Sequence, residues 1–248
     1  MGMKERQYLL NGMYTDMVSF SPHDKDVAMS LLTKVGEGVS GDDARVMSFD
    51  TLYALLSDEE KKIIERIIAT DPTVYGFRGQ CFGIAPVPDD LVALVGQEYC
   101  ICGIKKLLQT QYLPAHAHQA YLRMNDAMDA GIGRRVLVES GYRSPAYQAI
   151  VFLRYLAEHT YRIEEALERI AIPGYSEHGY PNKQGMDFRV RETMFDNDDR
   201  PVPFGNTIEY AWLLEHANDF HLHLSYPEGN PYGIIPEPWH WRYEGGLI

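Results

Sequence analysis

Two hydrophobic periodicities alternate along this chain without a repeating βαβ rhythm, and that restricts its fold to a mixed α+β arrangement. From Ala115 to Ala130, the residues Ala117, Ala120, Tyr121, Met124, Ala127 and Met128 mark one helical face, and Gly131-Ile132-Gly133 ends it. The short run Arg135-Val136-Leu137-Val138-Glu139 then reads as a strand that delivers Ser140-Gly-Tyr-Arg143-Ser144 to its C-terminal end, where Pro145 opens a helix through Glu158. Met186 to Val190 and His221 to Tyr226 also read as strands, separated by an amphipathic stretch from Tyr210 to Phe220. The expectation is a small antiparallel sheet flanked by helices, with a cleft across it.

Earlier in the chain, Leu52, Leu55, Leu56, Ile63, Ile64, Ile67 and Ile68 fall at near-helical spacing, and Ser57-x-x-Glu60 forms a capping-box pattern, so two helices meet near Ser57. Asp71-Pro72 stops that pattern, and a boundary near Tyr75 divides the chain into a helical N-terminal extension, residues 1–76, and a larger domain, residues 77–248, that holds every chemical motif described below. The extension carries no chemical motif. With 248 residues and 45% hydrophobic content, one large domain plus an appendage is affordable.

Composition removes several partners. A formal net charge of −12 makes nucleic acid a poor ligand, because phosphate binding needs a basic surface. No apolar run is long enough to cross a membrane, and the polar start Met1-Gly2-Met3-Lys4-Glu5-Arg6 lacks a signal-peptide core, so the expected address is cytoplasmic, with release by lysis as the alternative. Arg6 stands where an N-myristoylation signal after Gly2 needs Ser or Thr. Cys81, Cys100 and Cys102 are too few for a disulfide framework and lack zinc-knuckle spacing, so reduced, partly buried thiols are expected.

Three segments carry chemistry: Ser140-Gly-Tyr-Arg143-Ser144-Pro-Ala-Tyr-Gln148, Ser176-Glu-His178 followed by Gly185-Met-Asp187, and Glu237-Pro-Trp239-His240-Trp-Arg-Tyr243. Amide hydrolysis at neutral pH needs a nucleophile, which Zn²⁺ supplies by lowering the pKa of a bound water to about 7. Imidazoles of His178 and His240 with the carboxylate of Asp187 make the three-ligand set of an open catalytic site. Glu237, three residues before His240, is the tethered base, and Pro238 turns the intervening chain away from helix. Rival ligand pairs are His221 with His223, on one face of a strand, and His116 with His118, which a helix splays apart. Asp196, Asp198 and Asp199 lack the glycine and terminal glutamate of an EF-hand and read as a solvated loop.

These segments, in this order, resemble the VanY-like D-alanyl-D-alanine carboxypeptidase family of zinc metallopeptidases, related to the vancomycin-resistance dipeptidases. Phe220, Tyr226-Pro227-x-Gly229 and Gly233 extend the likeness, which runs from about Phe82 to Tyr243. The resemblance implies that His178, Asp187 and His240 hold the metal, that Glu237 is the general base, and that Arg143 stabilises the oxyanion or grips a substrate carboxylate. It further implies that Ser144, Gln148 and Ser176 position substrate. Trp239 joins them as a substrate-binding candidate, whereas Trp241 reads as a core or wall aromatic. The family usually places its Asp seven residues after the His; Asp187 is nine after His178, so two residues must loop out, and Gly185 suits a close backbone approach there. The implied substrates are peptidoglycan peptides or precursors ending in D-Ala-D-Ala, with L,D-carboxypeptidase or endopeptidase action on muropeptides as the alternative. A zinc-stabilised module that binds peptides without cutting them is the reading from another class.

Overall fold

The structure, a computed structural model, describes residues 18–198 and 200–245. Gly2, Arg6 and Asp199 lie outside those residues. The chain is α+β, as its mixed periodicities predict.

An N-terminal helical layer comprises α1 (Pro22–Gly38), α2 (Gly41–Ala44), α3 (Phe49–Leu55) and α4 (Asp58–Ala69). Both long helices start on reciprocal caps. Ser21 and Asp24 form a capping box on α1, and Ser57 and Glu60 form the one expected on α4. Asp71 then accepts from the Thr73 amide and starts the 3₁₀ turn Pro72–Tyr75.

The remainder alternates strands β1 (Leu91–Leu94), β2 (Glu98–Ile101), β3 (Ile104–Leu107), β4 (Gln111–Pro114), β5 (Val136–Ser140), β6 (Gly185–Val190), β7 (Glu192–Thr193), β8 (Leu222–Leu224) and β9 (His240–Tyr243) with helices. Those helices are α5 (Ala115–Ile132), α6 (Pro145–Glu158), α7 (Ile163–Leu167) and α8 (Ile208–His216). The sheet that matters is four-stranded and antiparallel, in the order β5-β6-β9-β8. A β2–β3 hairpin with β7 beside β2, and a β1–β4 pair, were not expected from the sequence.

Period-two alternation divides the main sheet cleanly. Val136, Val138, Met186, Phe188, Trp241 and Tyr243 face a core completed by Ala117, Tyr121, Met124 and Met128 of α5 and by Trp212 and Leu213 of α8. Asp187 and His240 must therefore point to the opposite face. A second core unites Leu31 and Val35 of α1 and Ile63, Ile64 and Ile67 of α4 with Ala149, Ile150, Leu153 and Leu156 of α6. The helices before residue 77 thus share buried apolar surface with α6.

Some local expectations are revised. The strand expected from His221 to Tyr226 is confined to Leu222–Leu224, and His221 is exposed at φ 59°, capping the preceding 3₁₀ turn instead of sharing a strand face with His223. Cys81 and Cys102 are exposed, not partly buried, and Cys100 is half-buried. Asp196 and Asp198 both ion-pair with Arg200, which fits a surface loop and not a cation site.

Candidate active site

Sheet register brings the first two ligand candidates together. In the β6–β9 pairing Asp187 stands directly opposite His240, and on an antiparallel pair opposite residues share a face. His240 Nδ1 lies 2.8 Å from Asp187 Oδ1. His178 arrives from a 3₁₀ turn, Glu177–Gly179, whose carbonyl at His178 accepts from the Arg143 amide at 3.0 Å. Its Nε2 lies 3.4 Å from Asp187 Oδ2. One ligand atom from each of His178, Asp187 and His240 lies within 4.8 Å of the other two, the only such trio of His, Cys, Asp or Glu among the described residues. Neither His221 with His223 nor His116 with His118 belongs to it; His116 Nε2 instead lies 3.0 Å from the Pro181 carbonyl.

Between His178 and Asp187 the chain makes a second 3₁₀ turn, Pro181–Lys183. Buried Gln184 follows it and donates to the Gly185 carbonyl at 2.7 Å. Gly185 suits the close approach, because a Cβ there would crowd His240 Cε1 and Glu177 Cβ, each at 3.0 Å. Gly141 is more tightly constrained: a Cβ would meet the Tyr112 carbonyl oxygen at 2.3 Å.

Hydrogen bonding fixes which nitrogens are free for a cation. His178 Nδ1 donates to the Gly141 carbonyl at 2.7 Å, so Nε2 keeps its lone pair toward Asp187. Burial, reinforced by the Arg143 charge, pushes the His178 pKa down to about 4 and keeps the ring neutral. For His240 the outer nitrogen is Nε2, which donates to Glu177 Oε2 at 2.9 Å, leaving Nδ1 on the Asp187 side. Burial lowers the His240 pKa, but bonds to Asp187 and Glu177 outweigh it and push it up to about 10. A cation at Nδ1 takes the place of that proton. Asp187 is held well below the usual carboxylate range: burial opposes this, and the two imidazoles overcome it. Two nitrogens and one carboxylate that is ionised at neutral pH fit a divalent metal with an open position.

Glu177 is the residue the sequence did not single out. It is buried, receives Ser225 Oγ–H at 2.6 Å and a charge-assisted bond from Arg242, and buttresses His240 from behind. Burial raises its pKa, yet His240, Arg242 and Ser225 bring it down to about 2. A carboxylate–histidine pair of this kind sets ring orientation in metal sites.

Glu237 begins the turn into β9, with the His240 amide donating to its carbonyl at 3.0 Å. That turn is the extended-to-turning segment that Pro238 predicts. Glu237 Oε2 lies 3.9 Å from His240 Nδ1, and burial is the main reason its pKa rises to about 7. Arg143, in the turn after β5, places Nη2 3.5 Å from Asp187 Oδ2 and donates from Nη1 to Gln148 Oε1 at 3.2 Å, while its buried Nε–H has no partner. Gln148 Nε2 in turn donates to the Ala171 carbonyl at 2.6 Å. Glu139, at the end of β5 and four residues before Arg143, pairs with Arg189 and not with Arg143.

Arg143, Gln148, Ser176 and Trp239 line one cleft of about 330 Å³ with the ligand trio and Glu237. Trp239 is 37% exposed on its wall, whereas Trp241 is buried in the core as expected. Ser144 departs from expectation: fully buried, it does not line the cleft, and its Oγ caps α6 by accepting from the Tyr147 amide at 3.1 Å. Tyr226, also on the cleft, has a phenol whose pKa burial and the nearby carboxylates raise, so it stays protonated as a donor.

Residues 110–246, more than half of the chain, match the model of the VanY family, described as D-alanyl-D-alanine carboxypeptidase. The chain belongs to that family. Membership makes it a peptidase of the carboxypeptidase type. No curated protein matches the chain. Among solved structures it is similar to the LdcB LD-carboxypeptidase, at 29% identity over 64% of this chain and 69% of that one, with a TM-score of 0.49. It is also similar to VanYB in complex with D-alanine-D-alanine, at 27% identity over 54% and 73% of the two chains, with a TM-score of 0.43. A third similarity is to the L,D-carboxypeptidase DacB from Streptococcus pneumonia, at 27% identity over 54% and 67%, with a TM-score of 0.38.

Proposed function

We propose that this VanY-family protein is a zinc carboxypeptidase acting on peptidoglycan-type peptides, and that it removes D-Ala from D-Ala-D-Ala termini. The observation that carries this reading is the convergence of three ligand atoms within 4.8 Å of one another beside a carboxylate whose pKa lies near 7. His178, His240 and Asp187 would hold a Zn²⁺ ion, which would supply Lewis acidity and lower the pKa of a water.

The chain's own groups do the rest. Glu237 accepts the proton of the attacking water and returns it to the leaving amine, a double duty suited to a group that titrates near the working pH. The Arg143 guanidinium, braced by Gln148, stabilises the oxyanion of the tetrahedral species. Glu177 keeps the His240 ring oriented, and Tyr226, Ser176 and Trp239 shape the cleft around the peptide.

The test is a panel of synthetic peptides ending in D-Ala-D-Ala or in a single D-Ala on an L-centre, incubated with zinc-loaded protein while free D-Ala is quantified. Release from the first class, reduced at least about 10²-fold in Glu237→Gln, supports the proposal. Release from the second class alone makes the protein an L,D-carboxypeptidase. No release from any peptide, with Glu237→Gln indistinguishable from wild type, defeats the catalytic assignment in favour of peptide binding without cleavage.

A further inference from the structure

The turn that carries Arg143 from β5 into α6 is held from outside. Its successive amides all donate beyond the turn: Gly141 to Gln111 Oε1 at 3.2 Å, Tyr142 to the Tyr112 carbonyl at 2.6 Å, Arg143 to the His178 carbonyl at 3.0 Å and Ser144 to the Arg45 carbonyl at 2.8 Å. Gln111, Tyr112 and His178 lie within residues 110–246, the stretch matched to the family, and Arg45 does not. Arg45 belongs to the N-terminal helical layer, directly after α2. Anchored amides leave the backbone little freedom on either side of Arg143.

The Arg45 side chain is gripped as well as its carbonyl. It is buried, its Nη2 donates to Gln109 Oε1 at 2.9 Å, and its guanidinium carbon lies 5.6 Å from the centre of the Tyr147 ring. A cation over an aromatic face at such a distance is an attractive contact. Tyr147 lies in the first turn of α6, and its amide is the one that Ser144 Oγ caps. Arg45 thus straddles the cap, with its carbonyl on Ser144 and its side chain against the first turn beyond. Asp42 of α2 adds a second tether to the same region, accepting from the Thr110 amide at 3.2 Å and the Thr110 hydroxyl at 2.8 Å, next to the Gln111 that holds Gly141. Arg45 does not line the cleft, so its influence on a reaction there passes through the turn.

We propose that Arg45 is a positioning residue for Arg143: by fixing the Arg143–Ser144 turn it aims the guanidinium at the developing oxyanion, which makes the N-terminal layer a working part of the active site. This rests on the peptidase reading above. Oxyanion stabilisation depends on donors that are in place before charge develops, and a misplacement of about 1 Å can cost on the order of 10²-fold. Loosening one anchor among several is a smaller disturbance, expected at about tenfold. The loss falls on kcat, because Arg143 acts on the tetrahedral species and not on the bound peptide.

A double-mutant cycle separates aiming from general stability. The kcat for a D-Ala-D-Ala peptide is measured at saturating zinc in wild type, Arg45→Ala, Arg143→Ala and the double variant. Arg45→Ala is expected to lower kcat about tenfold with KM within about twofold, and to be silent once Arg143 is gone. Arg45→Lys, which keeps a cation over the Tyr147 ring, should recover part of the loss. An unchanged kcat in Arg45→Ala, or the same loss in both backgrounds, overturns the proposal. Should Arg45→Ala fail to fold, Gln109→Ala, at an exposed residue, removes the hydrogen bond that holds the guanidinium. It enters the same cycle under the same criteria, with an expected loss of about threefold. If wild type cleaves no peptide, the peptidase reading falls, and hydrogen exchange decides whether Arg45 fixes the turn. Exchange across residues 142–148 should quicken about tenfold in Arg45→Ala while α5 is unaffected, and no change, or faster exchange throughout, overturns the proposal.

Discussion

At the scale of single residues, the chemistry depends on how two imidazoles are turned, and each is turned by a different device. His178 is fixed by a backbone carbonyl, His240 by the carboxylate of Glu177. Glu177→Gln keeps the shape but removes the charge that faces His240 and Arg242. Metal affinity, measured by competition with a chelating dye, should fall about 10- to 100-fold, whereas Glu237→Gln, which alters no ligand or buttress, should stay within a few-fold of wild type. Unchanged affinity in Glu177→Gln would mean that His240 is oriented by packing alone. The candidate ligands His178, Asp187 and His240, and Glu237 beside them, could be picked out of the sequence because they sit in short motifs whose residue types make sense only together. Glu177 could not: one acid among 35 acidic residues, it acquires meaning only from His240, 63 positions later in the chain.

At the scale of elements, α6 was readable to its end residues, because Ser144 and Pro145 are strong start signals and its apolar positions are unbroken to Leu156. The β2–β3 hairpin and the β1–β4 pair were not. Their strands are four residues each, and every residue of β3 is exposed, so no alternation of apolar and polar positions marks them. The same scale explains Ser144. Placed between Arg143 and Pro145, it looks like a substrate contact in sequence, but in three dimensions it is the N-cap. Ser144→Ala should therefore destabilise the protein by about 1 kcal/mol in denaturant titrations while leaving KM for the D-Ala-D-Ala peptide within error of wild type. A raised KM at unchanged stability would restore the substrate role.

At the scale of the whole molecule, the N-terminal helices and the active-site cleft hang on α6, which buries one side in the helical core and presents Gln148 and Tyr155 to the cleft. Loosening the N-terminal layer should therefore release the metal. The lever is Glu60, whose buried carboxylate joins α4 to Lys34 and Ser30 on α1. Burial raises its pKa, but the Lys34 ammonium, the Ser57 amide and the Ser30 hydroxyl prevail and lower it from 4.5 to about 2. A carboxyl whose folded pKa is depressed adds stability above its unfolded pKa and loses it as pH falls through the folded value. Because Lys34 is nearly half exposed and solvent screens the pair, the contribution at neutral pH is on the order of 2 kcal/mol. Wild type should thus exceed Glu60→Gln by that margin above about pH 5, and the gap should close between about pH 4.5 and pH 2. At neutral pH, where Asp187 stays ionised and His178 neutral, circular dichroism and dye-detected metal release should give coincident thermal transitions in both proteins, shifted together to lower temperature in Glu60→Gln. Metal release that keeps its wild-type midpoint while the helical signal melts early would show that the N-terminal layer and the cleft do not unfold as one unit.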